Sequence, residues 1–314
     1  MKEHEIVIPA EYNGKPVTRI ESIGDDITRV TIPATVVEID ARSVVSSTNS
    51  LTVIEIDENN PCFKAIDGSV YSKDGKTLIF YSHGKKDEVV NIPDFVTVIG
   101  PSAFYDNNTI KSVVIPNSVT KISAYAFDQC YSIVNVTIPE SVQIIEKYAF
   151  FYCTALEAIT LPESITQMAD ALFAGCTKLA NVTLPQNLKN IGHNAFANCT
   201  SLESIELPAA LQVIGYNAFE GCSSLKSVTI PKMVSVISSC AFRECSALTT
   251  VAILSSIQSI ESEAFAYCKS LKTINFSGSV ETWKSIYGYR NNWDEGAGDF
   301  TVICTDGEVK RPLE

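Results

Sequence analysis

Cysteines are the residues of this chain with the clearest potential for chemistry. Seven of its ten cysteines recur every 23 residues: Cys130, Cys153, Cys176, Cys199, Cys222, Cys245 and Cys268. Stacked repeats would bring their Cα atoms within disulfide range. A zinc site needs ligands that converge tetrahedrally on one point, whereas a ladder spreads them along a line. The recurring position lies between two apolar core positions, where cysteine behaves as a small hydrophobe. We therefore predict buried free thiols and no metal site.

Other candidates for catalysis are sparse. Cys240 lies outside the ladder, at a position where other repeats have tyrosine or asparagine, so we expect it to be exposed, with a reactive role left open. His4, His83 and His193 fall in a tail, a loop and a repeat turn, without a consistent acidic or nucleophilic partner. Nothing resembles a nucleophile elbow, a phosphate loop or a metal-binding histidine pair. The sequence predicts no enzyme and no cofactor; an enzyme would need a site built by the insertion at 57–89.

The composition excludes several classes of binding partner. Apolar residues make up 46% of the 314 residues and charged residues 19%, which is typical of a packed chain and not of a disordered one. The formal charge of −12 repels nucleic acid and anionic lipid, so we expect neither as a partner. No run approaches 18 consecutive apolar residues, so we expect no membrane insertion.

The elements that position these residues are repeats. Seven prolines and eight phenylalanines keep the same interval as the cysteines: Pro93, Pro116, Pro139, Pro162, Pro185, Pro208 and Pro231, and Phe104, Phe127, Phe150, Phe173, Phe196, Phe219, Phe242 and Phe265. Such periodicity is the signature of a stacked-repeat architecture. With the proline as position 1, apolar residues recur at positions 4, 7, 11, 12, 15, 18, 21 and 23.

The pattern predicts the path of one unit. Positions 18 to 23 alternate as in a short strand with one buried face, and the next proline ends that strand because it lacks a backbone donor. Positions 4 and 7 indicate a second extended segment, and Ala-Phe-x-x-Cys indicates a single helical or 3-10 turn. We therefore predict an α/β repeat solenoid of the leucine-rich-repeat type, with a parallel sheet on one side and short extended segments and turns on the other.

Five regions are predicted along the chain. Residues 1–32 form an N-terminal hairpin and capping partial repeat, and 33–56 form a first repeat. Residues 57–92 hold a β-meander insertion around two Asp-Gly turns, projecting between the first repeat and the main array. Residues 93–276 form eight 23-residue repeats, the first with Asn107 in place of cysteine. Residues 277–314 form a C-terminal cap, helical over 281–288 and ending in a strand around Phe300 to Cys304.

The motif I-P-x-x-V-x-x-I-x-x-x-A-F-x-x-C-x-x-L-x-x-V, clearest from Ile138 to Ile159, resembles the BspA-like class of bacterial leucine-rich repeats. The Tyr71-to-Leu78 segment of the insertion and the tail Cys304-Thr-Asp-Gly307 are also similar to pieces of that family. The resemblance implies a secreted or surface protein of a bacterium, several members being adhesins for host matrix proteins or other microbes. The asparagine ladder of the broader repeat class is missing here, so detailed analogy with asparagine-ladder binding proteins is unsafe.

Two surfaces are candidates for binding. The exposed strand positions carry small polar residues, including Asn135, Thr137, Thr160, Asn181, Thr183 and Glu206. These residues either form a broad contact surface or simply suit a solvated strand. Aromatic residues also crowd the turns of three early units at positions that the core does not require: Tyr105, Tyr125, Tyr131, Tyr148, Phe151 and Tyr152. They form a contact patch, or some of them pack over the edge of the array or against the meander.

The sequence therefore favours a non-enzymatic recognition or adhesion module at a cell surface. We expect a monomer that binds a protein or glycan partner on host matrix or on other microbes. The alternative is a structural spacer that displays another part of a larger surface protein.

Overall fold

The computed structural model describes residues 4–45, 50–254, 257–287 and 292–311. The chain is a β-solenoid and divides into two compact units, Met1–Cys153 (unit 1) and Thr154–Glu314 (unit 2). The predicted solenoid is therefore confirmed, and each unit is described below by itself.

Unit 1 contains sixteen strands among its described residues. They are β1 (Glu5–Val7), β2 (Glu11–Tyr12), β3 (Lys15–Pro16), β4 (Arg19–Ile20), β5 (Arg29–Ile32), β6 (Glu38–Ile39), β7 (Val53–Ile56), β8 (Phe63–Ile66), β9 (Ser69–Ser72), β10 (Thr77–Phe80), β11 (Val89–Asn91), β12 (Val98–Ile99), β13 (Ser112–Val114), β14 (Lys121–Ile122), β15 (Asn135–Thr137) and β16 (Ile144–Ile145). A short helix, α1 (Ala41–Val45), and a 3-10 turn (His83–Lys85) complete it.

Two parallel ladders run through the repeats of unit 1. One joins β11, β13 and β15, and the other joins β10, β12, β14 and β16. Partners such as Ser112 and Asn135 are 23 residues apart, so each strand pairs with the same position of the next coil. Val113 and Val136 point inward while Val114 and Thr137 are exposed, as the alternating pattern predicts.

The meander is part of the stack. The strands β8 and β9 pair antiparallel around the Asp67-Gly68 turn, whose two positive φ angles, 47° and 68°, suit a tight hairpin, and β9 then pairs antiparallel with β10. Instead of projecting, β10 continues directly into the parallel ladder through β12. Leu78 and Phe80 are fully buried, because the meander supplies the core in place of a coil.

Unit 2 contains twelve strands among its described residues. They are β17 (Ala158–Thr160), β18 (Gln167–Met168), β19 (Asn181–Thr183), β20 (Asn190–Ile191), β21 (Val213–Ile214), β22 (Ser227–Ile230), β23 (Val236–Ile237), β24 (Thr250–Ile253), β25 (Ser259–Ile260), β26 (Thr273–Phe276), β27 (Thr301–Ile303) and β28 (Glu308–Lys310). The helix α2 (Val280–Tyr287) lies between β26 and β27. Its position agrees with the predicted helix, whose last residue falls outside the described part.

The strand expected before Pro208 is missing. Ile205 is buried and Glu206 exposed, as they would be in a strand, but 202–207 make no ladder with either neighbour. The backbone of 202–207 therefore follows the course of the other coils without pairing as a strand.

The core of each unit is a column of rings. Tyr81, Phe104, Phe127 and Phe150 stack in unit 1 with centroids 4.9–5.2 Å apart. In unit 2 the column runs from Phe173 to Phe265, with spacings of 5.2–5.6 Å. Trp293 ends that column edge-on, 6.0 Å from Phe265, so an indole covers the last ring. Offset stacking of buried rings at these distances adds to the hydrophobic stabilisation.

Candidate binding surface on the turn face

A third ladder, on the turn segments, positions the predicted aromatic residues. Alternate amides of each turn donate to the next coil, as Phe104 N–H does to the carbonyl of Ala126 at 2.8 Å. The amides between them close i→i+3 turns, as Ala126 N–H does with Ser123. The 3-10-type bonds expected of this segment therefore alternate with bonds between coils, and no continuous helix forms there.

This alternation requires left-handed backbone at two positions of each turn. At position 10, φ is 61° for Tyr125 and 60° for Tyr148; at position 14 it is 55° for Tyr152. Bulky L-residues rarely adopt positive φ, and they persist there only when the surroundings hold them. The ladder holds these tyrosines in a defined orientation on what we call the turn face: positions 10, 13, 14 and 16 of each coil.

The structure brings the predicted aromatic residues of unit 1 together. Tyr125 and Tyr148 stack at 4.9 Å with an interplanar angle of 2°, and Tyr148 meets Phe151 edge-on at 5.3 Å. Phe151 in turn meets Tyr152 edge-on at 4.5 Å. Four rings therefore form one continuous chain of contacts across two coils.

Two tyrosines leave much of their surface open. Tyr131 is 40% and Tyr152 44% exposed, whereas Tyr125, Tyr148 and Phe151 are half-buried. The hydroxyl of Tyr131 donates to Gln129 Oε1 at 2.9 Å. Partial burial, followed by the nearby carboxylates Asp106 and Asp128, raises the pKa of Tyr131, which keeps its hydroxyl protonated. Aromatic side chains with an open face and a polar tip are common anchors in interfaces.

Arg42 joins the cluster from the first repeat. Its guanidinium lies 4.3 Å from the ring centre of Tyr105 and 4.8 Å from that of Tyr125, in cation–π geometry. We define the turn-face cluster as Arg42 with the six predicted aromatic residues. Sequence reasoning missed Arg42, although it occupies position 10 of its repeat, the position that Tyr125 and Tyr148 fill later.

Asp128 is a buried carboxylate beneath this cluster. It is fully buried, and the Arg42 guanidinium approaches its Oδ2 within 3.1 Å as an ion pair, without a well-aligned hydrogen bond. Burial raises the pKa of Asp128 to about 6, against the opposing attraction of Arg42. The ion pair between Asp128 and Arg42, which lies over Tyr105 and Tyr125, therefore depends on pH.

The predicted strand-face residues are exposed, but they lie on a different segment of each coil from the cluster. Asn135 and Thr137 lie on β15 of unit 1; Thr160, Asn181 and Thr183 lie on β17 and β19 of unit 2. Glu206 is exposed outside any strand. Because their side chains are small, these positions offer a shallow surface and no pocket.

The cysteine ladder is buried and free, as predicted. The Cys130 thiol donates to the carbonyl of Phe104 at 3.0 Å, and the corresponding bonds recur at 3.1–3.2 Å for Cys153, Cys199, Cys222, Cys245 and Cys268. Burial raises the pKa of Cys222 and of Cys268 to about 12, so these thiols are inert at neutral pH.

Cys240 is less accessible than expected. It is half-buried, and burial together with the charges of Glu263 and Glu220 raises the pKa of its thiol. The expectation of an exposed side chain was therefore wrong, because neighbouring coils cover position 10 from both sides. A raised thiol pKa also disfavours the reactive alternative.

The comparisons with known proteins agree with this geometry. A family model described as BspA type Leucine rich repeat region matches residues 76–203 and 167–291, together more than half of the chain. The chain belongs to this family. BspA-type repeat proteins are typically bacterial surface proteins. No curated protein matches the chain.

Several solved structures are similar to this family member. A leucine rich cell surface protein from Faecalibacterium prausnitzii is 27% identical, with a TM-score of 0.52 and coverage of 90% of both chains. A leucine-rich repeat protein from Eubacterium ventriosum is 26% identical over 69% of this chain and 64% of its own, with a TM-score of 0.54. One from Bacteroides ovatus, 21% identical with a TM-score of 0.52, covers 96% of this chain and 92% of its own and shares the fold.

The described part of the BspA-type chain has neither a metal-binding cluster nor a membrane-spanning helix. Over the described ranges, no group of three or more His, Cys, Asp or Glu side chains is arranged to hold a metal ion. In the same part of the chain, neither helix has the length and apolar character needed to cross a bilayer.

Proposed function

We propose that this chain is a non-enzymatic recognition module of a bacterial cell surface. In this proposal it acts as a monomer and binds a protein or glycan partner of host matrix or of other microbes through the turn-face cluster. Family membership and the likeness to a cell surface protein of F. prausnitzii support the location.

The observation that carries the proposal is the rigid presentation of Tyr131 and Tyr152. Both rings are about two-fifths exposed. Tyr152 is held by its edge-on contact with Phe151, and Tyr131 is held by the hydrogen bond that its hydroxyl donates to Gln129. A side chain that is already ordered loses little conformational entropy on binding, which is the condition for a strong anchor. Exposed rings that merely covered the core would not need this orientation.

The test is binding of the whole chain to arrays of host matrix proteins and of surface glycans. We expect a bound partner, with Tyr131→Ala and Tyr152→Ala each weakening binding about tenfold or more, as for interface anchors. Tyr216→Ala is the matched control, because Tyr216 is a 50% exposed tyrosine of unit 2 at position 9 of its coil, outside the turn face, and stacks on His193 at 4.8 Å. Asn181→Arg places a bulky charge on the strand face instead.

The outcomes separate the alternatives. Loss of binding in Asn181→Arg, with both tyrosine variants unaffected, moves the interface to the strand face and refutes the turn-face site. Absence of any partner in both arrays favours the structural spacer.

A further inference from the structure

A cleft in unit 1 lies between the meander and the strand β11. It has a volume of about 280 Å³. Meander residues, among them Ser69, Tyr71 and Leu78, line it on one side, and Val90 and Ile92 line it on the other. This is the place where the sequence would have put a site formed by the insertion, and the turn-face cluster does not use it.

Two hydroxyls that open into this cleft belong to residues that are otherwise buried. Tyr71 is 5% and Ser69 1% exposed, and neither hydroxyl makes a hydrogen bond to another residue in the described part of the chain. Neither oxygen is among the fully enclosed, unpartnered side-chain atoms of the described residues, so both hydroxyls open into the cleft, where a ligand can reach them. Burial, followed by the charge of Asp67, raises the pKa of Tyr71 to about 12, so its hydroxyl stays neutral and can both donate and accept.

The charged groups around the cleft are already paired and fix its rim. The Lys85 ammonium donates to the backbone carbonyl of Asp67 at 2.8 Å and to its carboxylate at 2.6 Å. The hydroxyl of Tyr81 donates to Asp87 Oδ2. Lys85 therefore holds the Asp67-Gly68 turn, and Tyr81 holds Asp87 in the segment before β11. The cleft is thus formed before a ligand arrives.

The chemistry of the lining selects the ligand. Two carboxylates and one ammonium give the rim a formal charge of −1, which disfavours an anion. Leu78, Val90 and Ile92 supply an apolar floor, while Tyr71 and Ser69 supply neutral hydroxyls. A sugar ring has this combination, with an apolar C–H face and a hydroxyl edge. The volume is at the small end of ligand pockets, so it suits one ring rather than an extended chain.

We propose that this cleft binds a single neutral sugar residue, with the hydroxyls of Tyr71 and Ser69 hydrogen-bonded to the hydroxyl edge of the ring. The residue is either a free monosaccharide or the terminal unit of a glycan, and both present the same chemistry. The site is separate from the turn-face cluster and does not depend on it.

The test uses the whole chain and a panel of neutral hexoses, N-acetylhexosamines and acidic sugars, followed by saturation-transfer NMR and titration calorimetry. We expect at least one neutral sugar to bind at millimolar concentration and acidic sugars not to bind. Tyr71→Phe removes only the hydroxyl and should weaken binding roughly five- to tenfold. Ser69→Ala should have a similar effect. Tyr12→Phe is the matched control, because Tyr12 is 68% exposed and far from the cleft in sequence.

Each result has one meaning. An oligosaccharide with the same terminal unit that binds more tightly than the free sugar identifies a glycan end as the ligand, while equal affinities identify the monosaccharide. The proposal is overturned if no neutral sugar binds, or if Tyr71→Phe and Ser69→Ala both bind as tightly as the unchanged chain. Array binding lost in Tyr152→Ala and sugar binding lost in Tyr71→Phe are separate readouts, so failure of the turn-face site and failure of the cleft are distinguishable.

Discussion

Asp128 makes the stability of unit 1 depend on pH in an unusual direction. Most paired carboxylates have lowered pKa values and lose their contribution as pH falls. Asp128 is fully buried, and burial raises its pKa from the ordinary value of 3.8 to about 6. The folded state therefore binds its proton more tightly than the unfolded state, so this group favours folding at low pH. Its contribution is complete below pH 3.8 and is lost as pH rises through about 6.

The shift sets the magnitude. A difference of about two pKa units corresponds to about 3 kcal/mol between the two ends of the titration. Between pH 7.5 and pH 4.5 the linkage relation gives a gain of about 2 kcal/mol from Asp128 alone. The contribution of Asp128 has to be separated from every other effect of pH on stability, which requires comparison with a variant.

Asp128→Asn provides that comparison. The amide has the shape of the protonated carboxyl and does not titrate. We expect the free energy of unfolding, measured by urea titration with circular dichroism, to gain about 2 kcal/mol less between pH 7.5 and pH 4.5 in Asp128→Asn than in the unchanged chain. Asp94→Asn, which removes an exposed carboxylate from the same unit, should leave the pH dependence unchanged.

Two results would refute this reasoning. If Asp128→Asn and the unchanged chain show the same pH dependence, Asp128 does not titrate in this range. If the variant instead gains more stability on acidification, the pKa of Asp128 is lowered, and its pairing with Arg42 outweighs its burial.

Three further predictions concern the stack. Phe196→Ala should destabilise the chain by about 3–5 kcal/mol in urea unfolding, because Phe196 is fully buried between two rings. Thr183→Ala, the control on an exposed strand position, should cost under about 0.5 kcal/mol. Equal costs for the two variants would contradict the ring column. A thiol reagent at neutral pH should label Cys62, Cys240 and Cys304 first and the ladder cysteines only on unfolding, and early labelling of Cys199 or Cys222 would show that the ladder is open. Gly192→Ala should lower the free energy of unfolding by about 1–3 kcal/mol, because the added Cβ would lie 2.6 Å from the backbone carbon of Ala169. Gly307→Ala is the control, since the nearest contact of its added Cβ is at 3.3 Å. An unchanged stability of Gly192→Ala would show that the coils can move apart.

The sequence was sufficient to predict the core because the same apolar positions recur in each repeat. The phenylalanines of the ring columns and the ladder cysteines are fully buried, as the periodicity predicts. On the strands that form, the residues at positions 20 and 22 flank an inward residue. The helix α2 and the Asp67-Gly68 turn were also predicted, since each rests on local side-chain preferences. Residues that depart from the rule were predicted less well. Cys240 is half-buried because the neighbouring coils, and not its own type, decide its exposure.

The candidate sites divide in the same way. Periodicity alone placed Tyr125 beside Tyr148, because residues one period apart must stack. It could not predict that Arg42 contacts Tyr105 and Asp128. The meander separates the first repeat from these coils in the sequence, so the contacts do not follow the 23-residue interval. The cleft beside Tyr71 was likewise decided by tertiary structure. Pairing of β10 with β12 fixes how closely the insertion approaches β11, and that distance is not encoded in any single repeat.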